Sequence, residues 1–135
     1  MPVKSIFINL SSADISRTRA LWSALGFAFN EQFSDNKALC LVLQEGKIYS
    51  MMITHELFGT FTNRKIADNS VTQTLIAIEV ESCAAVDEMV PRALANVGTR
   101  YRESADHGWM YYDCFADPDG HQWEVMYSDV NQITQ

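Results

Sequence analysis

One order of elements is spelled twice along this chain, and that repetition limits the fold more than any single motif. Residues 5–10, SIFINL, are apolar and β-branched, as a strand requires. Asp14 then caps ISRTRALWSAL, whose Ile15, Leu21, Trp22 and Leu25 recur at roughly helical spacing, and Gly26 closes that helix. Strands are expected over 27–31, 38–44 and 48–54, parted by Ser34-Asp35-Asn36 and by Glu45-Gly46. The second half repeats the order. TLIAIEV at 74–80 is a strand, and 83–96 is a helix with Val86, Met89, Val90 and Leu94 on one face. Gly98 ends it, and strands are expected at 99–102, 110–116 and 122–127. Pro91, inside the second helix, should kink or restart it.

The expected architecture is therefore α+β, with two tandem βαβββ units over 1–54 and 72–128 in one domain of 135 residues. Residues 55–71 join them, and HELFG with Phe61 reads as a short amphipathic helix, either a lid or a packed crossover. Each unit puts a helix on one sheet face and leaves the other to be covered or to line something. By alternation Ile6, Ile8 and Leu10 belong under the helix, with Phe7, Asn9 and Ser11 opposite. Ile76, Ile78 and Val80 likewise belong under the second helix, with Leu75, Ala77 and Glu79 opposite.

Composition narrows the function. A net charge of −7, with both signs interspersed, disfavours nucleic acid and anionic membrane surfaces. No apolar run approaches ~18 residues, so no membrane span is expected, and the first residues do not read as an export signal. Cytoplasmic residence is the expectation. Three scattered cysteines, Cys40, Cys83 and Cys114, are then expected as reduced, buried thiols.

The segments FINLSSADISRTRALWSALGF, TLIAIEV and FADPDGHQWEVMY, with the repeat order, resemble the vicinal oxygen chelate superfamily, which holds glyoxalases, extradiol dioxygenases and bleomycin-resistance proteins. The resemblance implies paired βαβββ units curling into a cup-shaped curved sheet with helices outside, commonly completed by a second subunit as a homodimer. Its metal-using members place four donors, one from each of four strands. Matched position by position, those places fall on Phe7, on Met52 (or Ser50 after a slip of two), on Leu75 and on Glu124. Met52 is matched because it follows Gly26 by as many positions as Glu124 follows Gly98. Only Glu124 is a ligand type, and one carboxylate cannot replace a three- or four-donor set. No metal and no cofactor are expected.

Glu124 shares a face with Gln122 and Met126, opposite Trp123 and Val125, and is the candidate catalytic residue: an apolar surround would make it a better base. His121 lies three positions away, on the other face of the strand, and should pack on or cap the Asp117-Pro118-Asp119-Gly120 turn. The candidate ligand-binding set is Phe7, Asn9, Met52, Leu75, His107, Trp109 and Glu124. His107 and Trp109 form a rim loop, and the set would bind a small organic molecule. Trp22, Phe27 and Phe29 read as core. The leading expectation is a small-molecule-binding protein of the glyoxalase/bleomycin-resistance type with a degenerate metal site. The alternatives are a metal-independent lyase or isomerase using Glu124 as base, and a regulatory interaction module.

Overall fold

The computed structural model describes residues 1–133, and its chain divides into two compact units, Met1–Asp68 and a second beginning at Asn69. Each is a βαβββ arrangement with one four-stranded mixed sheet, so the expected α+β architecture is present.

In the first unit β1 (Ile6–Ser12) leads into α1 (Ile15–Ala24), followed by β2 (Ala28–Phe29), β3 (Ala38–Gln44) and β4 (Ile48–Thr54). The sheet order is β1-β4-β3-β2, with β1 parallel to β4. The Asp14 carboxylate accepts the Arg17 N–H and so starts α1, as its position before the apolar repeat demands. α1 lies on β3 and β4, burying Leu21 and Trp22 against Leu39, Leu41 and Met52. Each such side chain stabilises the unit by roughly 1.5–3 kcal/mol. The Ser12 and Thr18 hydroxyls hydrogen-bond at 2.8 Å, so the side of β1 that carries Ser12 is the helix side. Trp22 meets Phe27 edge to face at 5.2 Å. Phe27 and Phe29 are only half-buried, however, and Phe29 lies under the Arg19 guanidinium at 4.9 Å. The strand expected over 27–31 shrinks to two residues, because Asn30 caps a single 3-10 turn, Glu31–Phe33, instead. α2 (His55–Gly59) is capped by Thr54 and packs against β1 and β4.

The second unit runs β5 (Leu75–Glu79), α3 (Cys83–Ala95), β6 (Ala105–Asp106), β7 (Met110–Ala116) and β8 (Gln122–Ser128), in the order β5-β8-β7-β6. α3 is a single helix through Pro91 rather than restarting there; the proline is exposed, where loss of one backbone bond costs least. The helix side is again unambiguous: Ile76, Trp123, Val125 and Phe115 are buried there beside Val86 and Val90 of α3, and the Tyr111 hydroxyl donates to Asp87 of that helix. Asp113, buried on the same side, is paired with Arg100. The strand expected at 99–102 is reduced to one bridge between Thr99 and Ala116, and β6 takes the edge instead.

The turn between β7 and β8 is organised by Asp117. Its Oδ1 accepts the N–H groups of Asp119 and His121, both at 3.0 Å, and its Oδ2 accepts the Trp123 indole at 3.1 Å. His121 thus belongs to the turn through its backbone. Gly120 takes φ +85°, and a β-carbon there would stand 2.4 Å from that of Asn69, so only glycine fits.

Two further points concern single residues. Cys40 and Cys114 are buried free thiols, but Cys83, the first residue of α3, is exposed. Val97, just past the end of α3, has φ +65°, a left-handed conformation that a β-branched side chain resists. Val97 is exposed, so Val97→Asn should raise stability by about 0.5–1 kcal/mol, read as a shift of the denaturation midpoint with unchanged slope.

Candidate functional site on the open face of the second unit

The strand registers decide which side chains can form a site, since a parallel or antiparallel pair keeps partners on one face. In the first unit Phe7 pairs with Tyr49 and Asn9 with Met51, whereas Leu10 pairs with Met52 and Ile8 with Ser50. Met52 and Ser50, expected with Phe7, therefore lie on the helix side, at 1% and 0% exposure. Met51 is the β4 residue that shares the open face. It stands beside Asn9 as Glu124 stands beside Ala77 in the second unit. The cause is a register shift in β3 between Val42 and Gln44, which has no counterpart in β7; one extra residue makes equal residue counts end on opposite faces. Phe7 and Tyr49 stack at 4.7 Å, and Phe7 remains half exposed.

In the second unit Leu75, Ala77 and Glu79 share the open face with Gln122, Glu124 and Met126, and with Tyr112 and Cys114 across the hairpin. A cleft of about 260 Å³ opens there, lined by Ala77, His107, Met110, Tyr112, Glu124 and Met126. It lies just below the roughly 300–1,000 Å³ of ordinary small-molecule sites, so it suits a small ligand. Glu79 is satisfied outside the cleft by the Ser128 amide and hydroxyl. Glu124 differs: it is half-buried, and among the described residues its carboxylate accepts no hydrogen bond from the protein.

His107 reaches the cleft from the β6–β7 turn, where Gly108 takes φ +84° and Asp106 accepts its N–H at 2.9 Å. Trp109, in the same turn, does not line the cleft; its carbonyl accepts the Asp129 N–H. Phe7, Asn9 and Leu75 are exposed on the open faces of their units.

Sequence reasoning missed Tyr112, Met110, Arg102 and Tyr101. The Tyr112 hydroxyl accepts from Arg102 Nη2 at 2.6 Å, and the guanidinium also lies over the ring at 5.6 Å. The His107 ring stands 6.0 Å from that of Tyr112. Tyr101 is half-buried, and burial, then the neighbouring Cys114 sulfur and Glu124 carboxylate, push its phenol above the ordinary range. It therefore remains protonated as a donor. Tyr112 and Met110 were legible in principle, because pairing outward from the Asp-Pro-Asp-Gly turn puts them on the face of Glu124. Tyr101 and Arg102 follow a single bridge and carried no such signal.

The residues present do not fit the superfamily's metal. Phe7 and Leu75 carry no donor, β4 offers Met51 in place of a hard ligand, and one carboxylate is left. Among the described residues no group of three or more His, Cys, Asp and Glu side chains could hold an ion. Among them, too, no helix is long and apolar enough to cross a membrane.

No family model matches the sequence, and no curated protein matches it. Solved structures do. A glyoxalase-related enzyme from Fulvimarina pelagi is 17% identical with a TM-score of 0.79, over 94% of this chain and 89% of that one. A hypothetical protein from S. aureus is 21% identical with a TM-score of 0.77, over 94% and 95%. A glyoxalase/bleomycin resistance protein/dioxygenase family enzyme from Burkholderia phytofirmans PsJN is 20% identical with a TM-score of 0.74, over 91% and 97%. At such identities the likeness establishes the fold. The chain has the fold of the glyoxalase/bleomycin-resistance/dioxygenase structures, in keeping with the vicinal oxygen chelate resemblance.

Proposed function

We propose that this chain is a small-molecule-binding protein of the glyoxalase/bleomycin-resistance type, and that its ligand sits on the open face of the second unit with a polar group on Glu124. The observation that carries this reading is the Glu124 carboxylate itself: half-buried between Ala77, Met126 and Cys114, and accepting no hydrogen bond from the described residues. Its oxygens are open to the cleft, where they can take a donor from solvent or from a ligand. A ligand amine or hydroxyl supplies one. The methionine-rich lining adds a deformable apolar wall, suited to an aliphatic stem.

The test is extraction of the purified protein and mass spectrometry of whatever small molecule it carries. Glu124→Gln keeps the shape and removes the charge, so occupancy should fall about ten- to a hundredfold, the worth of one hydrogen bond to a charged group. Equal occupancy in the variant would remove Glu124 from the site.

The same unpaired carboxylate favours one second reading, a metal-independent lyase or isomerase with Glu124 as base. Turnover of the extracted molecule, lost in Glu124→Gln while binding persists, would select it. Homodimer formation is proposed on the same footing: edge strands β1 and β5 expose Ile6, Phe7 and Leu75, and sedimentation as a monomer at micromolar concentration would refute it.

A further inference from the structure

We infer that the cleft of the second unit selects a small zwitterion, its cationic nitrogen at Glu124 and its anionic oxygen at the Tyr112 hydroxyl and Arg102 guanidinium. This rests on the cleft being the ligand site. A phenol has one proton, and the Tyr112 oxygen already accepts from Arg102, so that proton must point elsewhere. No acceptor among the described residues takes it, although Tyr112 lines the cleft. Arg102 is exposed, makes no ion pair among the described residues, and has further N–H donors to offer beside the same hydroxyl. One end of the site thus offers the Tyr112 and Arg102 donors and a positive charge, with the His107 ring beside them, and the other, Glu124, is acceptor-only and negative. Met110, Met126 and Ala77 line the cleft with them.

The register places the two ends on one face. Glu124 pairs with Cys114 and Tyr112 with Met126, so Glu124 and Tyr112 are diagonal neighbours across the hairpin, about 7–8 Å apart at the backbone. Side chains rooted that far apart on one face can be met together by a two-ended molecule with several methylenes between its charges. Arg102 acts both on the ligand and through Tyr112, by fixing which way the phenol donates.

The experiment is calorimetric titration of the intact protein with ε-aminocaproate, caproate and hexylamine, alongside the Met126 methyl resonance. The two-ended compound should bind about tenfold more tightly than either one-ended one. Tyr112→Phe and Arg102→Ala should bring its affinity down to that of hexylamine, and neither should weaken hexylamine itself. Glu124→Gln should bring it down to that of caproate. If the one-ended compounds bind and move Met126 while ε-aminocaproate gains nothing over them, the zwitterion inference is wrong and the cleft stands as a ligand site. If none of the three moves Met126, the inference fails. An extracted ligand lost in Glu124→Gln would still uphold the site.

Discussion

Met52→Lys should unfold the first unit, with a loss of about 4 kcal/mol or more, while Met51→Lys should cost under about 1 kcal/mol. The two side chains are adjacent in sequence and similar in size, yet only Met52 is enclosed, at 1% exposure between Leu10 and Leu39 of the flanking strands. A buried ammonium there has no acidic partner within its strand pairs, and the neighbouring Ser50 hydroxyl, which donates to the Ile8 carbonyl, offers only a neutral acceptor. Met51 shares the half-exposed side with Phe7 and Tyr49. Urea denaturation of both variants reads the difference directly, and equal losses would mean that the faces of β4 are reversed.

Asp117→Ala should cost the second unit about 3 kcal/mol. It removes the acceptors of three N–H groups, including the indole of fully buried Trp123, and each orphaned donor costs roughly 1–3 kcal/mol. Part of that loss is offset because burial pushes the Asp117 carboxyl above its ordinary range, against the pull of His121 and the hydrogen bonds. A carboxyl raised on folding binds its proton more tightly in the folded state. Its share of stability is therefore full below the unfolded value of 3.8 and declines as pH rises through the folded one. The gap between the native protein and Asp117→Ala should accordingly narrow, not widen, from acid toward neutral pH. Asp117→Asn, which keeps one oxygen, should lose less.

Much of the fold was legible because the physics that sets it is local. Asp14 before an apolar stripe, Gly26 after it, and alternating strands repeated in the second half are short-range signals. The faces of β5 and β8 were legible as well, since Trp123 and Val125 alternate with Gln122 and Glu124 in one strand. The face of β4 was not. IYSMMIT puts a serine on the buried side and two methionines side by side, so its own pattern gives no parity, and counting residues from Gly26 crosses a bulge that the second unit lacks. Arg102 was hidden for another reason: its place beside Tyr112 depends on a segment that pairs through one bridge only, so no periodicity announces it.

The proposed ligand site is the open face of the second unit, centred on Glu124. Methionine methyl resonances test it most directly, because Met110 and Met126 line the cleft, Met52 is buried on the helix side of the first unit and Met51 marks that unit's open face. Titrated with a library of small amines, acids and their two-ended analogues, the protein should show Met110 and Met126 shifting together, Met52 unmoved, and the response weakened in Glu124→Gln. Compounds that move Met51 alone, or that move Met126 equally well in Glu124→Gln, would contradict the account.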